Sequence, residues 1–188
     1  MKEHPILFNE AMIRAILDDR KTQTRRPVKP QPRGVIENSG GEWVDEYHNN
    51  GWRCPFGYPG DRLWVRETFW VTRNKHPRSV IYRADGDDGF SWRPSIHMPR
   101  WASRLTLEVT DVRVERVQDI NSDCIADEGY ASDCGCTYCA ENEDYCEEAR
   151  GALVDSFADS WDSIYAKKGY GWDSNPWIWA IEFKRVDQ

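Results

Sequence analysis

The sequence predicts an α+β domain, a small β-barrel decorated by helices, and three observations carry that prediction. Runs of alternating apolar and polar residues recur with no helical crossover between them. One helical pattern precedes the first of these runs, and the others come late in the chain. The longest alternating run, Arg104 to Val117, breaks its rhythm near Asp111, as a strand does where a sheet bends or bulges toward closure.

The first element is a helix over residues 9–19. Asn9 suits the N-cap, Phe8 and Ile13 form a hydrophobic staple, and Ile13, Ile16 and Leu17 share a face. Thr22 to Arg26 follows as a short strand that Pro27 ends. Residues 27–60 read as a long loop insertion, because Pro27, Pro30, Pro32, Gly34, Gly40 and Gly41 punctuate it. Arg62 to Trp70 is a strand with Leu63, Val65 and Glu67 on one face and Trp64, Arg66 and Thr68 on the other. Ser79 to Arg83 adds a further short strand. In Arg104 to Val117, Leu105, Leu107 and Val109 face one way, and Val112, Val114 and Val117 resume the apolar face after the break. Ser122 to Glu128 is a short helix ended by Gly129. Glu147 to Tyr165 is a longer one, with Val154, Phe157, Trp161, Ile164 and Tyr165 along one side. Pro176 to Val186 closes the fold, with Trp177, Trp179, Ile181 and Phe183 on one face. Residues 1–188 are expected to form a single domain, with a cysteine-rich acidic insertion at about 130–148.

The net charge of −7 is unevenly spread. Between Asp119 and Asp162 thirteen acidic residues face one basic residue, Arg150, whereas the rest of the chain carries a net positive charge. A phosphate-binding face needs local positive potential and not a basic average, so a nucleic-acid ligand stays compatible with this composition. No apolar run is long enough to span a membrane, and the first residues lack the apolar core of a secretory signal. A cytoplasmic monomer is expected.

Several runs resemble the ASCH family, whose domains are related to PUA domains. Ile16 to Arg26, containing Lys21-Thr22-Gln23-Thr24-Arg25, is similar to the family's opening G-x-K-T-x-T-R turn, with Asp19 where glycine is common. Gly60-Asp61-Arg62-Leu63-Trp64-Val65 resembles the G-D-x-L-x-V strand, Glu128-Gly129 the later acid–glycine pair, and Trp179 to Arg185 the closing strand. Arg93 to Arg104 resembles a subgroup found in bacteriophages and prophages. The resemblance implies a PUA-like barrel and a groove for RNA or a modified nucleoside. One bacterial branch is an amidohydrolase acting on N4-acetylcytidine, and its lysine, threonine and glutamate fall on Lys21, Thr24 and Glu128. Another member is a ribonuclease.

The residues admit two readings of that trio. A threonine hydroxyl needs a base to take its proton, and a lysine serves only if its pKa is lowered. Arg20, Arg25 and Arg26 supply nearby positive charge, while a Glu128–Lys21 ion pair would oppose a base role. The alternative is that Lys21 and the arginines bind phosphate and Thr24 is an ordinary strand residue. Arg20, Arg26, Arg66 and Arg100 are candidate ligand contacts, and Trp101 is the tryptophan least suited to a strand core.

Cys134, Cys136, Cys139 and Cys146 are spaced C-x-C-x2-C-x6-C, which suits a structural zinc held by four thiolates, with free reduced cysteines as the alternative. Cys54 and Cys124 read as ordinary thiols. Three functions remain open at this stage. The first is a module that recognises a base in RNA or in a nucleoside. The second is a hydrolase, either an amidohydrolase on N4-acylated cytidine or a ribonuclease. The third is an interaction protein using its acidic arm.

Overall fold

The computed structural model describes all residues except 35, 40–41, 46–47, 73–78, 87–88, 131–146 and 187–188. Ten strands and three α-helices are assigned among the described residues. They run in the order β1 (Glu3–Leu7), α1 (Glu10–Leu17), β2 (Gln23–Pro27), β3 (Ile36–Ser39), β4 (Glu42–Asp45), β5 (His48–Trp52), β6 (Arg62–Arg66), β7 (Phe69–Val71), β8 (Val80–Tyr82), β9 (Thr106–Arg116), α2 (Ser122–Asp127), α3 (Glu147–Tyr165) and β10 (Trp177–Val186). Five strands form a mixed sheet in the order β1-β6-β9-β10-β2. The expected barrel closure is not found among the described residues, because β1 and β2 stand at opposite ends of this order.

Strand β1 escaped the sequence reading, and so did its direction. It runs parallel to β6, with Pro5 opposite Trp64 and Ile6 opposite Val65. Arg62 N donates to Lys2 O and Phe8 N to Arg66 O, so even-numbered residues of β1 face β6. Pro5 therefore turns its missing N–H to the sheet's outer edge, where proline removes no ladder bond. The pattern of EHPIL, with a proline and two polar residues, gives little local signal for a strand.

Two other expectations are corrected. The stretch 27–60 holds a three-stranded antiparallel meander, β3-β4-β5, with a register shift between Val44 and Asp45. The strand expected over Arg62 to Trp70 divides, and its end becomes β7, which pairs with β8 in a separate ribbon. By contrast β9 matches its prediction closely. Leu107 and Val109 are buried, Thr110 is exposed, and burial resumes at Val112, so the parity changes where the apolar rhythm breaks.

The chain divides into two compact units, Met1–Thr22 with Cys54–Val112 and Glu182–Gln188, and Gln23–Arg53 with Arg113–Ile181. In the first unit, Asn9 caps α1 by accepting from Met12 N at 2.9 Å, and Phe8 and Ile13 are both buried, as a staple requires. Leu63, Val65, Leu107 and Val109 bury the facing strands β6 and β9. A satellite cluster of Phe69, Met98 and Ala102 seats the segment before β9.

In the second unit, Leu153, Phe157 and Trp161 form the buried stripe of α3, packing with Ile125, Val117, Ile178 and Ala180. Leu153 takes the place expected of Val154, which is only partly buried. Strand β10 is buried on both faces over Ile178–Ile181 and not on one face as its sequence suggests. Ile178 and Ala180 meet the helical cluster, and on the alternate face Trp179 meets the Trp43 ring edge-on at 4.8 Å.

Candidate functional site

The motif Lys21-Thr22-Gln23-Thr24-Arg25 begins where α1 unwinds. Asp18 N donates to Arg14 O and Asp19 N to Ile16 O, then Arg20 N and Lys21 N both return to Ala15 O. The reversal needs one residue in the left-handed region, and Asp19 adopts it with φ of 56°. Aspartate is among the few non-glycine residues that visit this region readily, so the turn survives the absence of glycine.

This turn brings Lys21 inside. Its side chain is only 2% exposed, and the ammonium sits 5.8 Å from the Phe8 ring centroid. A buried ammonium is costly unless it is compensated. Beyond it β10 closes in: Phe183 N donates to Thr22 O at 2.8 Å, and the Phe8 and Phe183 rings lie 6.2 Å apart. Arg185 ties the helix end down, donating from Nη1 to Leu17 O at 3.0 Å and from Nη2 to Asp19 Oδ2 at 3.3 Å. These contacts frame a half-open pocket of about 310 Å³, lined by Ile16, Asp19, Lys21, Thr22, Leu107, Phe183, Lys184 and Arg185. Its volume lies at the lower end of the small-molecule range. Lys184 pairs with Glu108 at 2.9 Å.

In the second unit, β2 carries the rest of the motif on two faces. Thr24 is fully buried, and its hydroxyl oxygen accepts from Arg26 Nη1 at 2.8 Å. Side chains alternate along a strand, so Gln23 and Arg25 point the other way. Arg25 is fully buried there, donating from Nε to Glu115 at 3.1 Å and from Nη1 to Glu128 Oε1 at 3.2 Å. Gln23 adds a bond from Nε2 to Asp127 at 3.1 Å. Glu128 is the C-cap of α2, and Gly129 follows at φ of 91°, the left-handed stop that the acid–glycine pair predicts. The structure thus joins Glu128 to Arg25 and Thr24 to Arg26.

The other candidate contacts lie in the first unit. Arg20 pairs with Asp18 at 2.8 Å on the surface. Arg66 lies 5.4 Å from the Trp64 ring centroid. Arg100 forks onto Glu3 with two bonds of 2.9 Å. Trp101 is 56% exposed, the one exposed tryptophan among the ten. None of these four lines the pocket. The four clustered cysteines fall in 131–146, outside the described residues. Among the described residues no group of three or more His, Cys, Asp or Glu is placed to hold a metal ion. Cys54 is buried, and desolvation pushes its thiol up to about 12, which leaves it unreactive.

Sequence reasoning missed two features of the first unit. Lys184 and Arg185 reach the pocket from the far end of the chain, and no local pattern announces that. Glu67, 2% exposed, takes both prongs of Arg104 at 2.9 and 3.0 Å, while Arg104 also pairs with Asp85 and covers the Tyr82 ring at 4.0 Å. Burial pushes the Glu67 carboxyl above its ordinary range, against the opposing pull of Arg104. The even spacing of Glu67 with Leu63 and Val65 gave the only hint of an inward carboxylate.

No family model, curated protein or solved structure matches the chain.

Proposed function

We propose that this chain is a PUA-like module of the ASCH kind that binds a nucleobase-containing ligand, a nucleotide or modified nucleoside or the base of an RNA, in the pocket at the end of α1. The observation that carries the reading is the pocket itself, which contains Lys21, the lysine of the K-T-x-T-R motif, buried against Phe8. Apolar walls from Ile16, Leu107 and Phe183 suit the flat face of a base, and the cationic rim suits a polar or anionic substituent.

Binding is favoured over hydrolysis by the partner of the Thr24 hydroxyl. The Thr24 oxygen accepts from a guanidinium, and arginine cannot serve as the base that a threonine nucleophile needs. The Glu128 carboxylate is engaged by Arg25. Thr24 in this arrangement is a strand residue.

Titration calorimetry with nucleosides, N4-acetylcytidine, nucleotides and short single-stranded RNA tests the proposal. Saturable binding that weakens at least ten-fold in Lys21→Ala and survives in Thr24→Ala supports it. Release of acetate from N4-acetylcytidine, abolished in Thr24→Ala, would replace it with the amidohydrolase reading. Absence of binding to every one of these ligands ends it.

A further inference from the structure

We infer that Asp19 selects the base in the pocket at the end of α1, favouring one with an exocyclic amino group, adenine or cytosine, over its keto counterpart. The inference rests on the nucleobase reading of the same pocket and adds to it the residue that reads the base edge.

Its ground is the unused half of one carboxylate. Asp19 lines the pocket, and its side chain is 69% exposed, which puts it at the mouth. Its side-chain hydrogen bond runs from Arg185 Nη2 to Oδ2 at 3.3 Å, and Oδ1 has none among the described residues. A carboxylate holds about four acceptor sites, so capacity remains on Oδ1. The same arginine fixes the acceptor in place. While Nη2 holds Oδ2, Nη1 holds the Leu17 carbonyl at 3.0 Å, so one guanidinium bridges the helix end and the carboxylate. The backbone adds a second constraint, because Asp19 sits at φ of 56° between the bonds Asp19 N to Ile16 O and Arg20 N to Ala15 O. Neither constraint uses Oδ1. The turn asks only for a residue that tolerates the left-handed region, and an exposed ion pair adds little stability. Lys184 and Arg185 are already paired, with Glu108 and Asp19, so the reading makes no use of unmatched charge.

An ionised carboxylate accepts hydrogen bonds and donates none, so it matches an N–H and repels a carbonyl. The amino group of adenine or cytosine projects an N–H clear of the ring, and aspartate reads the cytosine amino group in this way. In hypoxanthine and uracil a carbonyl replaces that amino group. Their ring N–H lies beside carbonyl oxygens, whose lone pairs the carboxylate would have to approach. Leu107 and Phe183 offer an apolar wall to the ring itself. Because Asp19 is largely in water, the contact replaces a bond to solvent, and the preference is several-fold and not hundred-fold.

The experiment is calorimetry on the full chain with two pairs of nucleosides, adenosine against inosine and cytidine against uridine. In each pair that binds, the amino nucleoside should bind at least about five-fold tighter, as one hydrogen bond to a charged group in a half-open site provides. N6,N6-dimethyladenosine and N4,N4-dimethylcytidine, which carry no amino hydrogen, should bind as weakly as the keto nucleosides. Asp19→Asn keeps a residue that tolerates the left-handed turn, and an unchanged thermal melt confirms that it folds. Its amide presents an N–H as well as a carbonyl, so the gap within each pair should close to about two-fold or less. Keto or dimethylated nucleosides binding as tightly as the amino ones would overturn the inference while leaving the nucleobase reading intact. So would an Asp19→Asn chain that weakens both members of a pair alike and keeps the gap, as loss of a merely structural ion pair would do. Binding of none of these nucleosides would remove the nucleobase reading and this inference together.

Discussion

Lys21 and Arg25 stand four residues apart in one motif, and both are buried, yet their surroundings differ in kind. Arg25 is gripped by Glu115 and Glu128, with Gln23 beside them, in a network that leaves its guanidinium fully buried among fixed acceptors. Lys21 lies against an aromatic ring and opens on a hollow whose other charged residues are mostly cations. A buried charge matched by buried opposite charge is part of the scaffold. Lys21 instead borders a cavity, where an entering ligand can meet it. The motif's basic character says nothing about this division, which belongs to the neighbours.

The contrast can be broken most sharply at Arg25. Arg25→Ala leaves two carboxylates with their shared partner gone, and it should cost about 3–5 kcal/mol in urea unfolding. A loss under about 1 kcal/mol would mean that the network is not structural. Lys21→Met, which keeps the apolar stem, should reduce nucleotide affinity at least ten-fold. A large loss of stability with unchanged affinity would exchange the roles of the two residues.

The Glu67–Arg104 pair extends the comparison to pH. The Glu67 carboxyl is raised above its ordinary value of 4.5, first by burial. The folded state therefore holds that proton more tightly than the unfolded chain does. This contribution to stability is complete below the ordinary value and is lost as pH rises through the folded one. Denaturant midpoints across that window should decline in the native chain, and Glu67→Gln should flatten the decline. A steeper decline in Glu67→Gln would reverse the sign. The smallest effect is expected at Asp19. Asp19→Gly relieves the left-handed strain at φ of 56° but adds backbone entropy to the unfolded chain and loses the Arg185 contact, so stability should move by less than about 1 kcal/mol. Asp19→Val, a β-branched residue in the same backbone, should cost more, about 1–2 kcal/mol.

The legible parts of the fold are those whose signal is local. Asn9 with Phe8 and Ile13 defines the start of α1, and Glu128-Gly129 defines the end of α2, because a cap or a left-handed stop is satisfied within a few residues. Strand β9 was legible for the same reason, down to its change of parity. The meander in 27–60 was not, because prolines and glycines there mask short strands that gain from pairing with each other. Strand β1 carries a proline and little periodicity, and it is a strand only because β6, roughly sixty residues later, accepts it.

The candidate site divides along the same line. Lys21, Thr24 and Glu128 were singled out by motif, but which of them shares surroundings with which was decided by partners distant in sequence. Arg25 reaches Glu115 and Glu128 across some ninety to a hundred residues. Lys184 and Arg185 arrive at the pocket from the last strand. The sequence by itself determined the helix caps, the strongest strands, the left-handed turns and the mixed α+β character, because periodicity and backbone preference act over short spans. Tertiary structure alone decided the parallel edge strand, the open sheet order and the division of one basic motif into a scaffold cation and a pocket cation. Pairing and burial are long-range, and the energy of a charge depends on what surrounds it.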